Sequence, residues 1–193
     1  MEKSLSLQER VALIKEAILT HKETDPVAIA TSVMQMPFVR LLGPEHHFLD
    51  GACFLKAFQN AGGKIDIHVA LEQMEQRSAL MPDAMCAYWS ICGANASLGA
   101  ALSILRGTTP STCSEDYEDN MRFTAMLQAK IARLGGPSCC KRNAFLALVA
   151  ATVFANDRYG VQMETSFPSC PYIDEPTFCI REKCPFYSNK KQQ

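Results

Sequence analysis

Apolar residues recur at helical spacing along most of the chain, and no stretch alternates in the way that a half-buried β-strand requires. The first such stripe lies on one helical face and consists of Leu7, Val11, Ile14 and Ile18. Ser6 and Glu9 form a capping-box pattern ahead of it, so a helix is predicted over residues 7–20. Similar stripes further along the chain indicate an all-α protein.

Proline, glycine and capping residues divide the rest of the chain into six further predicted helices, which begin near residues 26, 45, 66, 94, 114 and 138. The segments 94–105 and 138–156 are largely apolar or small on every side, which is typical of buried helices. The pattern therefore predicts a single bundle of about seven helices with these two helices at its centre.

The helical pattern ends at residue 164, where proline, serine, asparagine and cysteine replace the apolar stripes. We therefore expect a helical domain over residues 1–163 and an irregular, cysteine-rich, metal-binding tail over 164–193 that packs on it. The tail is too polar and too interrupted to build a core of its own, so a metal or a cluster is the simplest means of ordering it.

Composition and charge exclude several classes of partner. The chain has 193 residues, is 48% apolar and carries a formal charge of −1, so it has no basic field that would attract nucleic acid. Its longest apolar run, Ala144–Ala155, is shorter than the roughly 20 residues that span a bilayer. The first residues lack the apolar core of a signal peptide. We expect a cytoplasmic protein that binds neither nucleic acid nor membrane.

Nine cysteines in a reducing compartment favour metal ligation or thiol reactivity over disulfides. Cys170, Cys179 and Cys184 are the predicted metal ligands, with Cys140 or Cys92 as candidates to complete the site from upstream. Cysteine-proline pairs such as those in the tail accompany iron-sulfur clusters, so an iron-sulfur cluster is the expected cofactor. Zinc is the alternative metal. The alternative interpretation is that the tail cysteines are scattered free thiols that bind no metal.

Two cysteines, Cys139 and Cys140, fall in the predicted first turn of the last helix, beside a lysine and an arginine. Unpaired amides at a helix N-terminus favour anions, so at least one of these thiols is expected to have a lowered pKa and to act as a ligand or nucleophile. Adjacent helical residues point about 100° apart, so the pair is not expected to chelate one ion together. The alternative interpretation is that each of these cysteines is buried and contributes only to packing.

Two other segments carry candidate chemistry. His46 and His47 begin the third predicted helix, where a neutral imidazole is favoured, and they are candidate catalytic residues together with Cys139 and Cys140. A loop over residues 86–93 precedes the small-residue helix, and its Cys92 and Trp89 are predicted to bind a cofactor, with the indole shielding the thiol from water. A tight helix entry is the alternative interpretation of this loop. If the three helix starts converge, they form one pocket.

The order of these motifs resembles a family of cysteine-rich domains of unknown function. The residues that carry the resemblance lie between 40 and 187 and are Gly43-Pro44-Glu45-His46-His47, Asn60-Ala61-Gly62-Gly63, Cys92-Gly93-Ala94, Leu102-Ser103-Ile104-Leu105, Thr108-Thr109-Pro110, Cys139-Cys140-Lys141-Arg142, the tail cysteines and Cys184-Pro185-Phe186-Tyr187. That family occurs in anaerobic bacteria and methanogenic archaea, sometimes joined to a methyltransferase domain that uses S-adenosylmethionine. The resemblance implies that these histidines and cysteines belong to one functional layout.

Two functions of different classes remain open at this point. The first is an enzyme or enzyme component whose cluster takes part in redox, sulfur or methyl-group chemistry on a small molecule, with a methyltransferase or redox protein as a possible partner. The second is a non-catalytic binding module whose zinc or cluster is only structural. Metal-free nucleophilic chemistry at Cys139 or Cys140 is a third and weaker interpretation. The chain lacks a glycine-rich nucleotide loop, so S-adenosylmethionine is not expected to bind in the doubly wound manner.

Overall fold

A computed structural model describes residues 5–175 and 177–188, and within these residues the chain is all-helical, with no β-strand. The eight helices are α1 (Leu7–Thr20), α2 (Pro26–Met34), α3 (His46–Asn60), α4 (Ile67–Ala79), α5 (Met85–Tyr88), α6 (Gly93–Arg106), α7 (Glu115–Leu134) and α8 (Cys140–Tyr159). One 3-10 turn, Arg181–Lys183, lies in the C-terminal segment. The predicted fold class is confirmed.

The seven long helices correspond to the seven predicted ones, and α1, α2 and α4 begin at capping residues that can be read in the sequence. The side chain of Ser6 accepts the Glu9 amide, and the Glu9 carboxylate accepts the Ser6 amide, which completes the capping box of α1. Asp25 caps α2 and Asp66 caps α4 in the same way.

The short helix α5 was not predicted, since its segment was expected to be a loop. It makes a single turn, and neither a capping side chain nor an apolar stripe announces it. Ala84, which precedes the turn, has a φ of 54°, a left-handed conformation that the sequence does not signal at an alanine.

Helix α3 lies at the centre of the bundle and packs against α1, α2, α4, α6 and α8. All of its residues from His46 to Phe58 are buried. It approaches α6 closely at Gly51, whose amide donates to Ser97 Oγ at 2.8 Å and where a Cβ would lie 2.9 Å from the Ser97 carbonyl oxygen. Because Gly51 has no side chain, the backbones of α3 and α6 can approach each other this closely, and α3 can occupy the centre of the bundle.

Helix α8 is enclosed at its start, where residues 141–145 are all buried, but its later turns are exposed on one side, which corrects the expectation of a helix buried along its whole length. Ala144, Phe145 and Leu148 are fully buried, whereas Val153 is 60% exposed. The bundle places α8 at its edge, where it contacts α2, α3, α6 and α7. The apolar composition of α8 therefore predicted more burial than the structure shows.

The segment after α8 folds back onto the bundle. Val161, Met163, Tyr172 and Phe186 join the same buried core as the helices. The Ser166 amide donates to Asp25 Oδ2 at 2.7 Å. The C-terminal segment is thus held to the start of α2 and to the core by residues outside its cysteines.

No described helix combines the length and the apolar character needed to cross a membrane.

Substitution of Asp25 by alanine tests how the C-terminal segment is held. Asp25 caps α2 and accepts the Ser166 amide, so Asp25→Ala should lower the free energy of unfolding by about 1–2 kcal/mol, as measured by urea denaturation. It should also speed proteolysis after residue 160.

Asp66→Ala is the matched control, because Asp66 caps α4 through two equivalent amides and has no contact with the C-terminal segment. It should cost about 1 kcal/mol and leave the proteolysis rate unchanged. Equal proteolysis of the two variants would contradict the anchoring role of Asp25.

Candidate functional site

Four cysteines from two distant parts of the chain line one small enclosed space of about 30 Å³. They are Cys139, Cys170, Cys179 and Cys184, which we call the four-thiol cluster. The rest of the wall is largely apolar and includes Tyr172, Phe178 and Phe186. A space of this volume holds about one water molecule, so it excludes an organic ligand.

Local backbone contacts fix each part of the four-thiol cluster. Cys139 is the N-cap residue of α8, and its sulfur accepts the Arg142 amide at 3.4 Å. The Cys170 amide donates to the Phe186 carbonyl oxygen at 2.8 Å, which joins the two ends of the tail loop. Cys184 follows the 3-10 turn, and its amide donates to the Arg181 carbonyl oxygen at 2.7 Å.

Burial and mutual repulsion act on these thiols. Burial raises the pKa of Cys170 and of Cys184, and the neighbouring thiol groups raise both further. The Arg142 guanidinium acts in the opposite direction on Cys184. Four thiols in one apolar space cannot all ionise without a cation among them, so the arrangement favours either neutral thiols or a bound metal.

Two cationic side chains border the four-thiol cluster. Arg142 is 4% exposed and donates to the carbonyl oxygens of Gly135 and Pro137, both at 3.0 Å. Lys141 is 1% exposed, and its ammonium lies 4.9 Å from the centre of the Tyr172 ring. Burial lowers the pKa of Lys141. A buried lysine of this kind has lost hydration and gains from any nearby negative charge.

Within residues 5–175 and 177–188, no group of three or more histidine, cysteine, aspartate or glutamate side chains is arranged to hold a metal ion. This finding includes the four-thiol cluster and the histidines described next.

A second and larger cavity, of about 260 Å³, lies where the N-termini of α3, α6 and α8 meet. The side chains with chemistry in its wall include His46, His47, Asp50, Cys92, Cys140 and Asn143, and we call it the histidine cavity. The segment that contains α5 closes one side through Asp83, Ala84, Met85 and Cys86. The structure thus brings together the helix starts that the sequence placed far apart.

The acid-base residues of the histidine cavity are buried and incompletely paired. Asp50 is fully buried, and neither of its oxygens has a hydrogen-bond partner among the described residues. His46 Nδ1 lies 3.7 Å from Asp50 Oδ1, and the other ring nitrogen, Nε2, lies 3.2 Å from the Arg40 carbonyl oxygen. Nδ1 of both His46 and His47 also lacks a partner in the described part of the chain. Orphaned polar atoms of this kind are costly and mark functional sites.

Burial favours the neutral forms of Asp50 and His47. It raises the pKa of Asp50, against the opposing effect of the two histidines, and it lowers the pKa of His47. The prediction that a neutral imidazole is favoured here agrees with the lowered pKa of His47.

Cys92 and Cys140 lie in the wall of the histidine cavity. Cys92 is the N-cap residue of α6, and Asn143 Nδ2 donates to its sulfur at 3.3 Å. Burial raises the pKa of Cys92, while the amides of Ala94 and Asn95 and the Asn143 side chain oppose that effect. Burial also raises the pKa of Cys140, to about 12. The prediction of a lowered pKa is therefore wrong for Cys140, because the loss of water outweighs the helix N-terminus.

The structure separates residues that the sequence analysis had grouped. Cys139 faces the four-thiol cluster and Cys140 faces the histidine cavity, as expected for neighbours that point about 100° apart. The upstream neighbour of the tail thiols is thus Cys139, which had been grouped with the catalytic candidates, whereas Cys140 and Cys92 lie with the histidines. Trp89 is 65% exposed and lies outside the described walls of both cavities, so it does not shield Cys92.

Sequence reasoning missed two contributors to the site, Arg40 and Asn143, and identified Gly93 only as a small residue after Cys92. Arg40 pairs with Glu45, its Nη2 lying 2.6 Å from Oε2, and this pair supports the turn before α3. Asn143 links α8 to Cys92. Gly93 allows the His47 ring to pack on the backbone, since a Cβ there would lie 2.3 Å from His47 Nε2. Only Gly93, directly after a cysteine at a helix start, gave a readable signal.

Comparison with known proteins identifies a family. The model of a family of unknown function, DUF5714, matches residues 14–187, and the chain belongs to that family. No curated protein and no solved structure matches the chain significantly.

A Gly93→Ala variant tests the packing of His47. The added methyl would collide with the imidazole, so we expect a loss of roughly 1–3 kcal/mol in the free energy of unfolding. Gly99→Ala on the same helix is the control, because its Cβ would meet only the Thr124 methyl, at 2.8 Å. Urea denaturation should place Gly99→Ala close to the wild type. Equal losses in both variants would contradict the assigned packing.

The lowered pKa of His47 predicts a pH dependence. The unfolded chain protonates this histidine near pH 6.5, whereas the native state holds it neutral to lower pH. Below about pH 6.5 the wild type should therefore lose stability, by at most about 1.4 kcal/mol per pH unit from this group. His47→Asn should reduce that slope, and His68→Asn, at an exposed position of α4, should retain it. Identical slopes for all three proteins in urea denaturation would refute the assignment.

Proposed function

We propose that this member of the DUF5714 family is a metalloprotein in which Cys139, Cys170, Cys179 and Cys184 hold an iron-sulfur cluster. In this proposal the cluster serves redox, sulfur or methyl-group chemistry on a small molecule, and that chemistry takes place in the adjoining histidine cavity. The observation that carries it is the convergence of four cysteines on one largely apolar space.

The donor set and its surroundings support a soft metal centre. Thiolates select clusters, zinc or copper over harder metals. Four thiolates would bring a large negative charge into an apolar space, and Lys141 and Arg142 at the edge of that space would offset it. This offers a reason for burying a lysine, whose ammonium otherwise lies 3.5 Å from the Met34 carbonyl oxygen and 4.9 Å from the centre of the Tyr172 ring.

The cysteine-proline pairs of the tail favour a cluster over a single zinc ion. Because the space of about 30 Å³ is smaller than a cluster, its binding would move the tail outward from α8. Tetrahedral zinc with bonds of about 2.3 Å needs its sulfurs roughly 4 Å apart. In a four-iron cluster each cysteine binds a different iron atom, so the sulfurs lie further apart. Cys170 and Cys184 are each followed by proline, as is common among cluster ligands.

The division between the two cavities suggests separate roles. A centre with four protein ligands has no open position for a substrate. It would therefore fasten the tail and supply electrons, while the groups in the histidine cavity bind the substrate. His46 with Asp50, and the neutral His47, would hold and move protons there. Cys139 and Cys140 are consecutive, so the two sites adjoin through the backbone of α8.

The second candidate is a non-catalytic module that serves a partner enzyme. The closed four-cysteine arrangement favours it, because structural zinc sites are ligated entirely by protein. Exposed apolar side chains beside the histidine cavity, Leu80, Tyr88 and Trp89, offer a contact surface. The partner in this case would be a methyltransferase or a redox protein, as the resemblance suggests, and a cytoplasmic location suits either candidate.

Metal analysis of anaerobically purified protein tests the centre. We expect iron and acid-labile sulfide in similar amounts, with visible absorption typical of a cluster. Cys179→Ser should lower the metal content and expose residues 164–188 to proteolysis, because one ligand is lost. Cys113→Ser should match the wild type, since Cys113 is exposed and lies outside the described walls of both cavities.

The outcomes separate the two candidates. Zinc without sulfide, lost on Cys179→Ser, would favour the structural module over the cluster. Full metal content in both Cys179→Ser and Cys184→Ser would reject the four-thiol centre altogether.

A further inference from the structure

Two cysteines of the histidine cavity are not used by the proposed metal centre. Cys92 and Cys140 belong to different helix starts, yet both contribute to the wall of the same 260 Å³ cavity. Asn143 connects them: it lies three residues after Cys140 on α8, and its side chain donates to the Cys92 sulfur at 3.3 Å. The two thiols therefore face one substrate-sized space from adjacent walls.

Three N–H groups face the Cys92 sulfur. They are the Asn143 side-chain amide and the backbone amides of Ala94 and Asn95, and they favour a thiolate against the effect of burial, which raises the pKa of Cys92. His47 packs on Gly93, the next residue in the chain. A neutral imidazole is the form that accepts a proton, and burial favours that form of His47.

We propose that Cys92 and Cys140 form a redox-active dithiol pair that reduces small uncharged disulfides in the histidine cavity. The inference deepens the proposed redox function by naming a substrate class, while the thiol exchange itself does not require the metal centre.

The reaction consists of two successive thiol–disulfide exchanges. His47 takes the proton of the Cys92 thiol, and the thiolate attacks one sulfur of the substrate RSSR, which breaks the substrate S–S bond and releases one RSH as that sulfur gains a proton. Cys140 then attacks the Cys92 sulfur of the mixed disulfide, loses its proton to the leaving sulfur and releases the second RSH. The two cysteines are oxidised to one disulfide, and the substrate is reduced to two thiols.

The cavity defines the substrate by size and charge. Its volume suits a small organic molecule. Arg40, the permanently charged cation among the described lining residues, is held by Glu45 at 2.6 Å, and burial favours the neutral forms of Asp50 and His47. An anionic disulfide would therefore find no free positive charge, whereas an uncharged one needs none.

The test uses full-length, reduced protein and bis(2-hydroxyethyl) disulfide as the probe under anaerobic conditions. After alkylation of free thiols, non-reducing peptide mapping should find Cys92 joined to Cys140, with two thiols released per chain. Cys140→Ala should stop at a mixed disulfide on Cys92, and Cys92→Ala should lose the fast reaction. His47→Asn should slow it by roughly 10²-fold, the usual contribution of a general base. Oxidised glutathione, which is bulky and anionic, should react more slowly than the probe.

Cys113→Ser is the matched control and should react like the wild type, since Cys113 is exposed and lies away from the cavity. A disulfide that involves Cys86, which also lines the cavity, or an unchanged rate in Cys92→Ala would overturn the inference. The map of the wild-type protein decides the question even if a variant fails to fold. Formation of the Cys92–Cys140 disulfide would support this inference whether or not the protein holds metal, and metal analysis alone decides the cluster, so the two proposals fail separately.

Discussion

The orientation of the first turn of α8 is the constraint on which both cavities depend. Successive residues of that turn point in different directions, so Cys139 meets the tail thiols while Cys140 meets the histidines. Arg142 holds the preceding loop through two carbonyl oxygens, and Asn143 reaches Cys92. A rotation of this turn would disturb both sites at once. The polar side chains buried there hold the turn in its orientation through these hydrogen bonds.

Burial then decides the chemistry of the groups that this turn positions. A helix N-terminus favours a thiolate by about 0.3–1 kcal/mol at an exposed position, whereas full burial shifts a pKa by several units. The raised pKa of Cys140 and the lowered pKa of His47 show which effect is larger here. The histidine cavity is consequently a neutral space, in which hydrogen bonding and thiol chemistry replace attraction between charges.

The sequence predicted the helices well, because helical periodicity and local signals such as the capping residues Ser6 and Asp25 can be read from it. It failed where tertiary packing decides the result. The exposure of the later turns of α8 depends on where the bundle places the helix and not on its composition. Cys139 is the neighbour of the tail thiols because of the rotation of the first turn of α8. The sequence predicts the start of this helix only to within about two residues, so it cannot show which of the two cysteines points toward the tail. Asn143 carried no signal at all, since its role exists only across the contact between α6 and α8.

The two sites differ in whether they have room for a substrate. The four-thiol cluster is enclosed, apolar and offers no space for a substrate, while the histidine cavity has a volume of about 260 Å³ and polar atoms without partners. Asp50, whose oxygens have no hydrogen-bond partner among the described residues, lines this cavity together with two thiols. On this ground we propose that chemistry takes place in the histidine cavity and that the four-thiol cluster supports it.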